Sequence, residues 1–306
     1  MRTALTIAGS DPSGGAGVQA DLKTFAAFGL YGACAITAVT VQSTKGVEAV
    51  APLAADLVTA QIEAVAGDLT IAATKIGMLA TAAIVEAVAA AIEELDLPLV
   101  VVDPVLVSSS GERLLDADGV AALRHLLLPL ARVVTPNIPE AEALSGIRIV
   151  SPDTMRDAAR RIHDMGARAV IITGGHAPQN LNPWNPEPQN PQPSNPEPGN
   201  QEPGNREPEN REPPNPEPRT PNSVVDLLFD GRAFHEQRVT RIDSRHTHGT
   251  GCTYASAVAA SLALGRDLAE AAARAQQYVA GAIAHAPGLG GGRGPLDHFW
   301  AGIMKT

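Results

Sequence analysis

Aromatic residues are scarce in this 306-residue chain: two Trp, three Tyr and five Phe make up 3% of it, so any core must be built from Ala, Val, Leu and Ile. With 44% of residues hydrophobic, that core can still be sizeable. Cysteine is scarcer. Cys34 and Cys252 stand too far apart for CxxC redox or paired zinc-ligand spacing, which argues against a structural disulfide and fits a reducing compartment. No Lys/Arg run exceeds two residues and the formal net charge is −10, so the footprint of a nucleic-acid or anionic-membrane binder is missing and small molecules are the expected partners. Long apolar runs are also missing: none approaches the roughly 18 residues of a membrane span. The opening MRTALTIAGS is too short in its apolar part for a secretory signal and reads as a first strand, with the cytoplasm as the expected location.

What is present is an alternation. Strand-like runs lie at Ala4 to Ala8, Ala35 to Val41, Thr70 to Ile76, Leu99 to Val102, Val133 to Thr135 and Ala169 to Thr173. Between them, Gln19 to Phe28, Asp56 to Ala66, Thr81 to Leu95, Asp118 to Leu127 and Thr154 to Met165 carry apolar residues at helical spacing and mostly begin near Asp, Ser or Thr. This predicts an α/β fold with a parallel sheet covered by helices on both faces, and ligands at the carboxyl ends of the strands. The loops there are GSDPSGGAG, TVQST, IGML, DPVLVSSSG, TPNIPE and TGGH. Further on, Val224 to Phe229 and Ala233 to Arg238 flank Asp230-Gly231-Arg232 as a hairpin, followed by helices from about Thr250 to Leu264 and from Asp267 to Ala284.

One stretch breaks the pattern. Pro178 to Asn222 is rich in Pro, Asn and Glu, and from Asn185 to Arg219 it repeats a five-residue unit seven times: NPEPQ, NPQPS, NPEPG, NQEPG, NREPE, NREPP, NPEPR. Such prolines forbid helix and central strand, so the segment is expected to be polyproline-like or disordered, inserted into a single domain spanning 1–306. Lengthening a loop costs little, about 0.6 kcal/mol per doubling. The segment holds seven acidic and three basic residues, a net −4, which leaves −6 of the −10 on the rest of the chain.

The strongest local signal for chemistry is His248-Gly249-Thr250-Gly251-Cys252-Thr253 running into a small-residue helix. Two glycines allow a tight turn, and the N–H groups of a helix start form a positive pocket for a phosphate or developing oxyanion. Cys252 falls in the first turn, where the helix dipole lowers a thiol pKa, making it a candidate base; a small buried Cys at a glycine-capped start is the competing reading. The loop Gly9 to Gly17 has phosphate-loop grammar but lacks the Gly-Lys-Ser/Thr of a Walker A loop. Gly15 to Ala20 matches GxGxxA, yet no acidic residue occurs between Leu22 and Val47 to bind a ribose, which argues against NAD. Asp103 ends the VVVD strand, and Asn137 with Glu140 could complete a magnesium site beside it; the competing reading is a helix-capping box, and the two are compatible. His163, His176, His246 and His248 lack metal spacing and are expected to be solvated or capping.

Taken in order, LTIAGSDPSGGAGVQADLKTF, ITAVTVQST, TKIGML, VVDPV, TPNIPEAE, GGH and HGTGCTYASA resemble the hydroxymethylpyrimidine/phosphomethylpyrimidine kinases of thiamin synthesis, over nearly the whole chain except Pro178 to Asn222. The resemblance implies a ribokinase-like three-layer α/β/α sandwich with a mostly parallel central sheet. It also implies ATP and Mg2+ as cofactors, and two phosphorylations, first of the pyrimidine hydroxymethyl oxygen and then of the monophosphate. By motif, Gln42 would bind the pyrimidine edge, Gly9, Asp21 and Met78 would line its pocket, and Gly249, Thr250 and Gly251 would form the anion hole. Cys252 would stand where sugar kinases carry an aspartate base, and Asn137 and Glu140 would match the NxxE magnesium signature. Dimers are common in this fold, so a homodimer is the expectation the resemblance carries.

Three positions depart from the family pattern: Ser109 and Thr173 stand where lysines are usual, and Arg293 where histidine is usual, leaving Arg293 or Lys75 to compensate. Competing functions are a pyridoxal/pyridoxine kinase, whose substrate ring also bears a hydroxymethyl group, and a non-catalytic pyrimidine-binding protein. A sugar kinase is disfavoured by Cys252 in place of aspartate.

Overall fold

The computed structural model describes residues 1–108, 111–175 and 223–302. In chain order its elements are β1 (Thr3–Ser10), α1 (Gly17–Ala27), β2 (Tyr31–Ser43), β3 (Gly46–Pro52), α2 (Ala55–Asp68), β4 (Ile71–Ile76), α3 (Ala82–Glu94), β5 (Val100–Val102), α4 (Ala117–Ala122), β6 (Val133–Val134), α5 (Ile138–Ser145), α6 (Pro152–His163), β7 (Val170–Ile172), β8 (Ser223–Phe229), β9 (Phe234–Thr240), α7 (Thr250–Ala263) and α8 (Leu268–Ala284). Several helices start where a side chain binds an otherwise orphaned N–H: Thr81 takes the Ile84 N–H, Asp116 that of Gly119 and Asp267 that of Glu270, while Asn137 and Ser151 form capping boxes.

The strands form one sheet in the order β3-β2-β1-β4-β5-β6-β7-β8-β9. Strands β2, β1, β4, β5, β6 and β7 run parallel, and antiparallel strands close both edges, β3 at one and β8 with β9 at the other. Alternation along the strands divides the core in two. Leu5, Ile7, Val100, Val102, Val170 and Ile172 face a layer containing α2, α3, α5 and α6. Ala4, Val101, Val133 and Ile171 face α1, α7 and α8. On the second face α7 contributes many small residues, and Phe28 and Tyr278 meet edge to face at 5.0 Å; on the first face Phe229 and Phe234 stack at 4.5 Å.

The predicted α/β sandwich is therefore the observed one. Strand β3 was not anticipated, since GVEAVAP is largely exposed and lacks an alternating apolar face. The capping chemistry read at Asn137 and Glu140 opens helix α5. The expected insertion, 178–222, lies outside the described residues, but its flanks are informative: β7 and β8 pair antiparallel with Val170 opposite Phe229 and Ile172 opposite Leu227, and the Gly174 backbone packs on that of Val225. The chain thus leaves and returns at the open end of a two-stranded ladder. Excising 178–222 behind a short glycine linker is expected to shift Tm by less than about 4 °C; a much larger fall would mean that the segment contributes to the folded core.

Candidate active site

The loops at the carboxyl ends of β1, β4, β5, β6 and β7 surround a cavity of about 530 Å³, and the α7 N-terminus points into it. Two glycine loops interlock there. Gly249 caps α7 in a left-handed conformation (φ +85°), and a side chain on it would run into the Gly15 carbonyl; Gly17, at φ +57°, is pressed against the Gly9 carbonyl. The first-turn amides of α7 have no intrahelical carbonyl to bind, that of Thr250 making only a long 3.4 Å bond to the Thr247 carbonyl, so with the helix dipole they form an anion-binding end. Gly249, Thr250, Gly251 and Cys252 all line the cavity, as do Gly9, Gln42 and Met78, the last two flanking its β2–β4 side.

Beneath this turn is a buried charge cluster. Lys75 is fully buried on β4, with Nζ 3.0 Å from Asp21 Oδ2 and 3.8 Å from Asp103 Oδ2. Asp21 also accepts hydrogen bonds from Thr6 Oγ1 (2.6 Å) and Ser256 Oγ (2.7 Å). Burial works against the Lys75 charge, but attraction to Asp21, Cys252 and Asp103 outweighs it and holds the ammonium pKa above its ordinary value. Asp21 is thus a counter-ion behind the pocket and not part of its lining, because Thr6, Lys75 and Ser256 occupy its oxygens. Lys75 is likewise committed to the two carboxylates and cannot stand in for a missing phosphate-binding lysine.

Cys252 lies close enough to the Gly17 N–H and to Asp103 for both to act on its thiol. The expected lowering of its pKa by the helix dipole is overturned: burial is the main cause, with Lys75 opposing it and Asp103 and Asp21 adding to it, and the thiol is pushed up to about 12. Asp103 itself is raised to about 6, first by burial, with Lys75 opposing and Asp21 adding to the rise. A protonated thiol beside a carboxylate can pass a proton on, and the raised pKa disfavours a preformed thiolate at neutral pH.

Asn137 and Glu140 form a reciprocal capping box, with Asn137 Oδ1 accepting the Glu140 N–H and Glu140 Oε2 accepting the Asn137 N–H, each at 2.9 Å. Burial and the charge of Asp103 raise the Glu140 carboxyl to about 8. Asp103 Oδ2 is buried without a hydrogen-bond partner. A divalent cation beside these carboxylates would answer both the orphaned oxygen and the mutual repulsion, so the donor set fits magnesium. Among the described residues no three His, Cys, Asp or Glu side chains converge as a preformed metal site, so such an ion would share its coordination with phosphate oxygens.

Two groups were not foreseen from the sequence. His248, expected to be solvated or capping, is buried with Nε2 2.8 Å from Asp11 Oδ2 and 3.3 Å from Gln42 Nε2. Asp226 on β8 is buried in the cavity wall, accepting the Gly174 N–H at 2.8 Å and Gln276 Nε2 at 3.0 Å, and burial outweighs both bonds to raise it to about 6. A carboxyl raised in the fold adds stability that is complete below its unfolded value of 3.8 and is lost as pH rises through about 6. Between pH 3 and 7, wild type is therefore expected to lose about 3 kcal/mol relative to Asp226→Asn in urea unfolding; parallel curves would contradict this. Of the departing positions, Thr173 and Arg293 line the cavity. Ser109 and His176 lie outside the described residues, and His163 and His246 are peripheral to the cavity, with His163 packed edge to face on Phe229.

The chain as a whole is similar to known proteins. The chain is 41% identical over 296 residues to the hydroxymethylpyrimidine/phosphomethylpyrimidine kinase of Bacillus subtilis, covering 97% of this chain and 94% of that one. It is 42% identical over 297 residues to the thiamine biosynthesis bifunctional protein ThiED of Geobacter sulfurreducens, and there spans 52% of the relative's length. Among solved structures, an ADP complex of Bacillus subtilis pyridoxal kinase superposes with a TM-score of 0.77 at 34% identity over 98% of both chains, which makes the fold ribokinase-like. A family model described as phosphomethylpyrimidine kinase matches residues 11–186 and 217–297, passing over the heart of the pentapeptide repeat and taking in every cavity loop from Asp11 onward. The chain belongs to the phosphomethylpyrimidine kinase family.

Proposed function

We propose that this kinase transfers the γ-phosphoryl group of ATP to the hydroxymethyl oxygen of 4-amino-5-hydroxymethyl-2-methylpyrimidine and then to the resulting monophosphate, for thiamin synthesis. The single observation that carries the reading is the placement of Gln42 in the same cavity as Cys252 and the α7 anion-binding turn. An amide presents a donor beside an acceptor, which complements the amino group and ring nitrogen of an aminopyrimidine. Val224, Val239, Val279, Ala280 and Ile283 supply an apolar wall at the far side of the cavity for the nucleotide base.

In the mechanism, Gln42 orients the ring so that the hydroxymethyl oxygen meets Cys252. As that oxygen attacks the γ-phosphorus and its bond to the β,γ-bridging oxygen breaks, its proton passes to Sγ while the thiol proton moves to Asp103. The amides of Gly249, Thr250 and Gly251 hold the charge on the transferring group. Asp103, Asn137 and Glu140 are the residues that would hold magnesium, which when bound neutralises phosphate charge. Homodimer formation and a cytoplasmic location are part of the proposal; among the described residues no helix is long and apolar enough to cross a membrane.

The likeness to pyridoxal kinase favours pyridoxal as a second acceptor. Pyridoxal lacks the amino and ring-nitrogen edge that suits Gln42, so it ranks behind the pyrimidine. Magnesium-dependent ADP release with the pyrimidine, its monophosphate and pyridoxal as parallel acceptors is expected to be fastest with a pyrimidine. Release with pyridoxal alone would keep the fold and site but replace the substrate.

A further inference from the structure

We propose that Thr40 and the His248–Asp11 pair lock the side-chain amide of Gln42 in one of its two orientations, and that this lock decides which way round the acceptor ring binds. The inference rests on the aminopyrimidine reading above and assigns positioning roles to residues that make no chemical step themselves.

Asp11 Oδ2 accepts the Ala16 N–H (2.9 Å) and the Ser13 hydroxyl (3.0 Å), while Oδ1 accepts the Ser13 N–H (2.9 Å). So bound, Asp11 is a carboxylate, and its pKa is about 2 because the His248 and Ser13 bonds outweigh burial. The His248 nitrogen 2.8 Å away must then be the one that carries hydrogen, since a bare ring lone pair would face an anion. That leaves His248 Nε2 without a lone pair for Gln42. An amide with Nε2 toward His248, at 3.3 Å, opposes one donor to another.

Thr40 gives the same answer independently. Its hydroxyl has one hydrogen, yet lies 3.0 Å from the Ser10 carbonyl and 3.1 Å from Gln42 Oε1, both acceptors. Turning the amide by half a revolution removes the donor–donor opposition at His248 and the hydrogen shortage at Thr40, and leaves the one His248 Nε2 hydrogen directed at Asp11 Oδ2 (2.8 Å) with Gln42 Oε1 as a longer second acceptor (3.3 Å). Gln42 Nε2 then donates to Thr40 Oγ1, Thr40 donates to Ser10 O, and Gln42 Oε1 faces the His248 N–H. One Nε2 hydrogen and one Oε1 lone pair remain for the cavity, in a fixed order.

That order matters because the hydroxymethyl group sits next to the amino-bearing carbon. An aminopyrimidine paired with the reversed amide would have to turn over, carrying its hydroxymethyl group to the side away from Cys252. A 4-oxo analogue carries an acceptor and a ring N–H in place of donor and acceptor, so it matches only the reversed amide. The locked amide therefore both aims the reacting oxygen and rejects the oxo ring.

The test compares kcat/KM for 5-hydroxymethyl-2-methyl-4-aminopyrimidine and its 4-oxo analogue in wild type, Thr40→Val, Thr40→Ser and His248→Leu. The amino-to-oxo ratio is expected to fall about tenfold or more in Thr40→Val and His248→Leu, chiefly through KM, and to return in Thr40→Ser. An unchanged ratio in Thr40→Val, with both substrates slowed alike, would overturn the lock and leave Thr40 a structural residue. Thr40→Val is nearly isosteric, and calorimetric binding of the two rings gives the same ratio should turnover be lost. If wild type fails to phosphorylate the aminopyrimidine at all, the substrate assignment falls; if wild type turns it over and the ratio does not move, only the lock falls.

Discussion

Replacing Cys252 with alanine is expected to lower kcat by about 10²- to 10⁴-fold, the usual range for a positioned proton-transfer group, or about 3–5 kcal/mol of barrier. The effect follows from position: Sγ lies at the α7 turn in the cavity wall, between the Gly17 N–H and Asp103. Alanine removes the thiol through which a proton would reach that carboxylate, while the anion-binding amides stay in place and keep a residual rate. The KM for the pyrimidine is expected to change little, since Gln42 and not Cys252 holds the ring. Single-turnover and steady-state kinetics check the split; a full rate in Cys252→Ala would make the thiol a packing residue and leave Asp103 to act through water.

The largest stability effect is expected at Lys75. Lys75→Met leaves Asp21 and Asp103 as neighbouring buried carboxylates with no cation between them, and breaking such a pair costs about 3–5 kcal/mol. Because the folded pKa of Lys75 is raised, its contribution is complete below the ordinary 10.5 and is lost only as pH climbs beyond the folded value. At neutral pH the full penalty should appear as a lower urea midpoint. Adding Asp21→Asn is expected to recover part of it by removing one of the stranded charges; no recovery would mean that Thr6 and Ser256, and not the charges, set the cost.

Much of this fold was legible in the sequence because strands and helices buried against one another carry periodic apolar residues, and because the starts at Thr81, Asn137 and Asp267 announce themselves by cap chemistry. The α7 turn was legible for the same local reason, as Gly249 and Gly251 straddle Thr250 just before a run of small residues. The rest depended on distance. Asp11 and His248 meet across 237 positions, and neither has a local pattern that names its partner. Lys75 in IAATKI and Asp226 in SVVDLLF did leave a signal, a lone charge inside an apolar strand, which in a sheet covered on both faces must find a buried partner. The Cys252 pKa went the other way from its local expectation because a helix terminus acts weakly beside burial and two carboxylates.

The most direct test of the account is 31P NMR of the full chain with ATP, magnesium and 4-amino-5-hydroxymethyl-2-methylpyrimidine. The account predicts a phosphomonoester signal that grows first and then gives way to a diphosphate pair, with ADP formed in step. ADP appearing without any phosphorylated pyrimidine, or phosphoester formed only when pyridoxal is supplied, would contradict it.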